Sequence, residues 1–404
     1  MKKVILGVLL ITLFACNKEV TAPTISNNSI ASTKIEYYGK TSYELKKSNN
    51  FINVDAVREK VGIRYIGRFN GNSNMGFVYI DINNDGLEDI FYPYSTGSES
   101  VIKPDVMINK GGYYVLDNSM LPTEYNGNQV TRKTLVGDYN NDSLPDLFLI
   151  NHGYEDPTQN YYPGETCTLL LSDKKTNKYK LGVLPNIEKS FWHGGASGDL
   201  NGDGNLDIIV LGGKPAKVLY GDGKGNFNVV DWKYNAGYGY ITAEIVDVDK
   251  DGQNDIILSG NEGRPAPALY SKSTIFFNNN TNFSKQTIIC EPSVTGWGNV
   301  MGIACEDIDS DGINEIFLSR TGDINGIYYG GYSITLYKKT DNVYADVSEQ
   351  FIKRSILLNS NSGYWMYQMI VKKEIDGGFT INAYITNNST VQTWKQNKTN
   401  KIFE

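Results

Sequence analysis

Five acidic nine-residue motifs recur along the chain, and their side chains are the groups best suited to chemistry. Each motif has aspartate at position 1, aspartate or asparagine at position 3, aspartate at position 5 and an acid at position 9. The copies are DINNDGLED from Asp81, DYNNDSLPD from Asp138, DLNGDGNLD from Asp199, DVDKDGQND from Asp247 and DIDSDGINE from Asp307. Successive copies start 57, 61, 48 and 60 residues apart, a period typical of one supersecondary unit repeated along the chain.

The spacing of these acids predicts calcium loops. Ca²⁺ takes six to eight oxygen ligands, and carboxylates at alternating positions of a tight loop can converge on one ion. Glycine at position 6 permits the turn, the main-chain carbonyl of position 7 can point inward, and the acid at position 9 closes the cage. The predicted ligands, with position 7 acting through its carbonyl, are Asp81, Asn83, Asp85, Leu87 and Asp89; Asp138, Asn140, Asp142, Leu144 and Asp146; Asp199, Asn201, Asp203, Asn205 and Asp207; Asp247, Asp249, Asp251, Gln253 and Asp255; and Asp307, Asp309, Asp311, Ile313 and Glu315. The sequence therefore predicts up to five Ca²⁺ ions.

Turn formation alone is the alternative explanation, because Asp, Asn and Gly are the usual turn residues. Five loops that all keep acids at positions 1, 5 and 9 are not explained by turns. The second loop departs from the pattern, since Ser143 replaces glycine and Pro145 stiffens position 8. The fourth and fifth loops carry four acidic ligands each, so we expect them to bind calcium most tightly.

Apolar stretches flank each motif, and a second hairpin follows it. The first motif lies between GFVYI and DIFYP, and the third is followed by KVLYGDGKGNFNVV from Lys217. Each unit therefore predicts four antiparallel strands, and such units repeated radially form an all-β propeller. A sixth unit from Tyr364 lacks the acid spacing, so we expect it to be metal-free. Six blades are predicted, and a hairpin pattern from Tyr43 allows a seventh.

These repeats resemble the FG-GAP/VCBS repeat proteins, which include the integrin α-subunit head. The resemblance covers residues 36–404 and implies a β-propeller with calcium in the loop between the first two strands of a blade. Those loops are the motifs described above. The resemblance is specific for the fold and the calcium loops, and it leaves the function open.

The N-terminal segment predicts export and lipid attachment. Residues 1–15 have two lysines followed by a short apolar run, as in a signal peptide. The segment ending at Cys16 resembles the lipobox of bacterial lipoproteins, which implies cleavage before Cys16 and lipid on that residue; ordinary secretion is the alternative. Residues 16–35 then form a flexible tether. We expect a membrane-anchored lipoprotein of the outer membrane or cell surface.

Composition excludes several other functions. The net charge of −7 is largely explained by the acidic loops, and no basic stripe favours nucleic acid. The chain has two histidines, His152 and His193, and it lacks HExxH, Gly-x-Ser-x-Gly and phosphate-loop motifs. Neither histidine is predicted to be catalytic, so no catalytic residues are predicted.

Aromatic residues that precede the first strands predict a ligand-binding face opposite the metal loops. They are Trp192, Tyr240, Trp297, Tyr364 and Trp365. Such residues could stack on sugars or on a protein partner, although packing between blades is the alternative. We therefore expect a binding or adhesion module for a glycan or protein. A polysaccharide lyase or hydrolase, and a scaffold subunit of a cell-surface complex, are the alternatives.

Overall fold

The computed structural model describes residues 76–404, except for 96–97, 112, 157, 214, 235–238, 261–271, 288–297, 323–329, 341–342, 361–363, 375 and 386–389. All of them belong to one compact unit, Ile35–Glu404. The predicted signal peptide, Cys16, the tether and the hairpin from Tyr43 lie outside the described residues.

Six antiparallel sheets correspond to the six predicted repeats. Blade 1 contains β1 (Val78–Ile80), β2 (Asp89–Tyr92), β3 (Asp105–Asn109) and β4 (Tyr114–Leu116). Blade 2 contains β5 (Thr131–Gly137), β6 (Asp146–Asn151), β7 (Thr168–Asp173) and β8 (Lys178–Leu181). Blade 3 contains β9 (Gly194–Gly198), β10 (Asp207–Leu211), β11 (Lys217–Gly221) and β12 (Phe227–Asp231).

The remaining blades follow the same order. Blade 4 contains β13 (Tyr240–Val246), β14 (Asp255–Gly260), β15 (Thr274–Asn279) and β16 (Asn282–Thr287). Blade 5 contains β17 (Asn299–Glu306), β18 (Glu315–Thr321), β19 (Tyr332–Thr340) and β20 (Val343–Asp346), and a short β21 (Leu358–Asn359) pairs with β19. Blade 6 contains β22 (Met366–Lys373), β23 (Phe379–Ile385) and β24 (Thr390–Lys395).

Helices are short in the described part of the chain. A 3₁₀ helix spans Asn118–Met120, and two single-turn helices, α1 (Ser348–Phe351) and α2 (Arg354–Leu357), follow blade 5. None of these helices has the length and apolar character needed to span a bilayer. The predicted closing hairpin of blade 6 is confirmed, because Lys395 and Glu404 exchange main-chain hydrogen bonds of 3.1 and 3.0 Å.

The core consists of six apolar clusters, one at each interface between neighbouring blades. Strands such as β10 are buried along their whole length because each sheet packs against a neighbour on both faces. The cluster that contains Tyr79 of blade 1 and Tyr384 of blade 6 closes the ring. The prediction of an all-β propeller is therefore confirmed, with six blades in the described residues.

Close contact between first strands brings the blades together at the axis. In β9, a Cβ added to Gly194 would lie 2.1 Å from the carbonyl oxygen of Ile241 in β13. A larger residue would force the strands apart, so glycine is needed at this position. The first strands of the blades consequently surround a narrow channel.

Candidate metal centres and channel site

All five acidic motifs form the same turn between the first and second strand of a blade. In the fourth loop, Asp247 accepts the main-chain N–H of Asp251 at 3.1 Å and that of Gly252 at 2.9 Å. Asp251 in turn accepts the N–H of Gln253 at 2.8 Å. The hydrogen bond from position 6 to position 1 recurs in the other loops, from Gly86, Ser143, Gly204 and Gly312. The side chains of positions 1 and 5 are therefore held toward the inside of the loop.

Position 6 has left-handed backbone in every loop. The φ angles are 87° at Gly86, 69° at Ser143, 95° at Gly204, 91° at Gly252 and 89° at Gly312. Glycine adopts such angles readily, whereas a residue with a Cβ is strained there. The second loop thus keeps the common turn at an energetic cost.

The acid at position 9 joins the acidic loop to the second and third strands of its blade. Asp207 accepts the N–H of Leu200 at 2.8 Å and the N–H of Gly221 at 2.9 Å, joining the loop, the second strand and the third strand. Asp89, Asp146 and Asp255 make the same two kinds of contact. Burial raises the pKa of Asp207 to about 7, against the effect of these hydrogen bonds. Position 9 therefore has a structural role that the ligand pattern alone did not reveal.

Three carboxylates converge in each of the two most acidic loops. The groups are Asp247, Asp249 and Asp251 in the fourth loop, and Asp307, Asp309 and Asp311 in the fifth, with one oxygen of each within 4.8 Å of the others. Oxygen donors at this spacing are the kind that Ca²⁺ prefers. The fourth loop fits a calcium ion, and the shared turn gives the first three loops a similar set of oxygens.

The fifth loop already contains a cation. Lys338 Nζ donates to Asp309 Oδ2 at 2.5 Å, to Asp311 Oδ2 at 2.6 Å and to Glu315 Oε1 at 3.1 Å. Burial lowers the pKa of Lys338, but its hydrogen bonds with these three carboxylates outweigh that effect and raise the pKa above its usual value. In the fifth loop, a lysine ammonium therefore contacts carboxylates that a calcium ion would use.

Most of the predicted aromatic residues are buried. Trp192 is fully buried between blades 2 and 3, where its Nε1 donates to Glu188 O at 3.1 Å. Tyr240 and Trp365 are also buried, and Tyr364 packs against the cluster between blades 5 and 6. Buried rings have no face free for a ligand, so packing explains them better. Trp297 lies outside the described residues.

A cavity of about 80 Å³ lies in the channel, among the first strands of blades 2 to 6. Its lining is Arg132, Lys133, His193, Gly194, Ile241, Thr242, Met301, Gly302, Ile303, Gln368, Met369 and Ile370. Several of these residues lie near the start of a first strand, which is the end away from the metal loop. Gln368 Oε1 accepts no hydrogen bond from any described residue. A buried acceptor without a donor is uncommon and favours a ligand or water there.

Both histidines of the chain meet beside this cavity. The His152 ring stacks on Phe191 with centroids 4.0 Å apart, and it lies 5.6 Å from the His193 ring. Arg132 Nη2 lies 3.1 Å from His193 Nε2, so the guanidinium donates to a neutral imidazole. Burial, reinforced by Arg132, lowers the pKa of both histidines well below the usual value.

Sequence reasoning treated these two histidines as separate structural residues. His152 follows the second strand of blade 2, and His193 precedes the first strand of blade 3. In a propeller both places lie on the face opposite the metal loops. The sequence signal that could have predicted their contact is that the two histidines lie on this same face in consecutive blades.

A closed six-bladed ring with an acidic loop in five blades defines this protein as a β-propeller with repeated loops between first and second strands. A family profile described as the FG-GAP-like repeat matches residues 199–258, which begin at the third loop and include the fourth. This match and the ring of blades support the resemblance of the repeats to the FG-GAP/VCBS β-propellers.

Two solved structures have similar folds. A lectin from Agrocybe aegerita that recognises non-reducing terminal N-acetylglucosamine has 13% sequence identity and a TM-score of 0.49, over 82% of this chain and 79% of that chain. The intramolecular trans-sialidase from Ruminococcus gnavus, in complex with oseltamivir carboxylate, has 13% identity and a TM-score of 0.41, over 83% of this chain and 80% of that chain. The comparison with curated proteins finds no significant match.

Proposed function

We propose that this protein is a lipid-anchored, extracytoplasmic β-propeller that binds a glycan at the mouth of its channel. The observation that carries the proposal is Gln368 Oε1, a buried acceptor without a described donor in the wall of a cavity. A sugar hydroxyl is a donor of suitable size. Ligand sites in proteins are concave, mostly apolar and fitted with a few polar groups that fix orientation.

The rest of the lining suits a sugar. Thr242 and His193 supply further polar groups, while Met301 and Met369 supply apolar surface. Sugars present both hydroxyl edges and C–H faces, so a mixed lining matches them. Arg132 and Lys133 also line the cavity, which favours a glycan that carries acidic groups.

Calcium has a structural role in this proposal. The loops lie at the other end of the first strands from the cavity, and an ion in a loop would fix the connection between the first two strands. A rigid ring then presents the channel mouth in one conformation, which lowers the entropic cost of binding. The lipid on Cys16 and the tether of residues 16–35 would hold the propeller at the membrane surface.

A glycan array with a matched set of variants tests the binding site. We expect Gln368→Ala and Thr242→Val to weaken binding of the selected glycan at least tenfold, because each removes a polar group from the cavity. Lys180→Ala, at an exposed position of β8, is the control and should bind like the wild type. Unchanged binding in both cavity variants would contradict this site.

A lyase or hydrolase acting at the same cavity is the second candidate. The observation that favours it is His193 beside Arg132. A guanidinium can stabilise the carboxylate of a substrate, and His193 Nε2 can accept a proton once Arg132 turns from it to the substrate. Incubation of the glycan with wild-type protein and with His193→Gln distinguishes the two functions. Cleavage that His193→Gln abolishes supports an enzyme, whereas binding without cleavage supports the binding module.

A further inference from the structure

Lys338 contacts three carboxylates of a single acidic loop. Its Nζ contacts three carboxylates of the fifth acidic loop, at 2.5, 2.6 and 3.1 Å, and its side chain is only 19% exposed. By comparison, Lys217, Lys353 and Lys398 each pair with one or two carboxylates outside the acidic loops. In the fourth loop, no described ammonium forms an ion pair with Asp247, Asp249 or Asp251.

The sheet register shows that this lysine is peculiar to blade 5. In each of blades 1 to 5, the residue after position 9 pairs with a third-strand residue: Met107, Leu170, Leu219, Phe276 or Tyr337. The next residue along the third strand is Ile108, Leu171, Tyr220 and Phe277 in blades 1 to 4, and Lys338 in blade 5. An apolar or aromatic position has therefore been replaced by a cation in the single blade where position 9 is glutamate.

The contacts of position 9 change together with the lysine. In blades 1 to 4, one oxygen of the aspartate accepts a main-chain N–H of the third strand, from Asn109, Ser172, Gly221 or Asn278. In blade 5, Glu315 keeps the bond to Ile308 N–H at 3.0 Å, but its other oxygen accepts Lys338 Nζ. The longer glutamate and the lysine thus form one matched pair.

We propose that Lys338 is the resident cation of the fifth loop, so that this loop is stabilised without calcium and the chain binds at most four calcium ions. A calcium ion in the loop would need the carboxylates of Asp309 and Asp311 that the ammonium contacts. Two cations at the same carboxylates would repel each other, so binding would require displacement of a tethered, mostly buried side chain. This inference rests on the proposed calcium binding of the other loops.

Calcium stoichiometry tests the proposal. Native mass spectrometry of the detergent-solubilised full chain, equilibrated with CaCl₂ alone, should show at most four ions in the wild type and one more in Lys338→Met. Methionine keeps the unbranched stem and removes the charge. Lys339→Met, the neighbouring lysine on β19, is the control and should bind as many ions as the wild type. Equal stoichiometry in Lys338→Met and wild type overturns the proposal.

A second pair of variants does not depend on the folding of Lys338→Met. Asp249→Asn in the fourth loop should remove one bound ion, whereas Asp309→Asn in the fifth loop should remove none. Loss of an ion in Asp309→Asn shows that calcium displaces the lysine and overturns the proposal. If neither the wild type nor Lys338→Met binds any calcium, the proposal that the other loops bind calcium fails as well. If both bind the same number of calcium ions, only the proposal for Lys338 fails.

Discussion

The hydroxyl of Tyr384 in the sixth blade donates to the hydroxyl of Tyr79 in the first blade at 3.0 Å, across 305 residues of sequence. Both side chains are buried in the cluster between these blades, where the Phe77 ring lies 5.0 Å from the Tyr384 ring at an angle of 71°. Since these are the first and last blades of the described residues, this contact joins the two ends of the series of blades.

Removal of this contact should destabilise the whole ring. We expect Tyr384→Phe to lower the free energy of unfolding by about 1 kcal/mol, through loss of a buried hydrogen bond. Tyr384→Ala should lower it by about 3 kcal/mol or more, because it also leaves a cavity. Denaturation in guanidinium measures both effects, and Tyr113→Phe, at a ring that is 64% exposed, is the control. An unchanged midpoint in Tyr384→Ala would show that the ring is closed by other contacts.

The strained second loop offers a stabilising substitution. Ser143 has φ 69° at a position where the other loops have glycine. A residue with a Cβ is destabilised by about 1–2 kcal/mol in this conformation, so its replacement by glycine is stabilising. Glycine loses more conformational entropy on folding, which offsets part of that stabilisation. Ser143→Gly should therefore raise the free energy of unfolding by about 0.5–1 kcal/mol, measured by thermal denaturation.

The reciprocal variant in the first loop is the matched control. Gly86 has φ 87°, and a Cβ there would meet nothing within 4 Å, so Gly86→Ser changes the backbone energy without a clash. Gly86→Ser should lower the free energy of unfolding by about as much as Ser143→Gly raises it. Effects of the same sign for both variants would contradict the explanation from backbone strain.

Two aspartates of the third loop should respond differently to calcium. Asp207 is buried and accepts two main-chain N–H groups, whereas Asp203 is exposed and lies at a predicted ligand position. Asp207→Ala should lower the free energy of unfolding by about 3 kcal/mol even without calcium, because it leaves buried donors unsatisfied. Asp203→Ala should remove mainly the part of the free energy of unfolding that depends on calcium. That part is about 2.7 kcal/mol when free calcium is 100 times the dissociation constant.

Melting curves in CaCl₂ and in a chelator measure these effects. The wild type should melt at a lower temperature in the chelator, and Asp203→Ala should show a smaller difference between the two buffers. Identical curves for the wild type in both buffers, with no metal by elemental analysis, would rule out calcium binding.

The buried histidines should make the protein less stable in acid. Burial first, and then the charge of Arg132, lower the pKa of His152 in the folded state well below the value of about 6.5 in the unfolded chain. The unfolded chain therefore binds the proton more readily. As pH falls below about 6.5, the free energy of unfolding should decrease by up to about 1.4 kcal/mol per pH unit for each histidine.

A non-titrating variant isolates this effect. His152 faces Phe191 and His193, and its Nδ1–H donates to Gly153 O at 2.7 Å, a bond that His152→Gln can preserve. The difference in melting temperature between wild type and His152→Gln, followed from pH 8 to 5, removes contributions from carboxylates elsewhere. A difference that does not change with pH would contradict a neutral buried His152.

Local sequence patterns were sufficient to predict the blades and the acidic loops. Acids at positions 1, 5 and 9 with apolar flanks predict a strand, a tight turn and a strand, and the period predicts their repetition. The GGASG segment is different, because glycines and small residues do not predict a strand. It forms β9 by pairing with β10, and glycine is needed there because a Cβ on Gly195 would lie 2.1 Å from Ile209 O.

Side-chain contacts across blades could not be deduced in the same way. The aromatic residues ahead of the first strands occur at the expected face, yet Trp192 is buried rather than available to a ligand. The meeting of Arg132 with His193, 61 residues apart, depends on the position of blade 2 relative to blade 3. The contact of Lys338 with Asp309 depends on the register between β18 and β19.

The sequence by itself determined the repeated unit, the strand–loop–strand order and the chemistry of the acidic loops, because these depend on residues close together in the chain. The tertiary structure decided how the ring closes, which aromatic rings are buried, where the two histidines meet and which loop contains a lysine. Those features depend on distances between segments far apart in sequence, and such distances are set by how the blades pack around the axis.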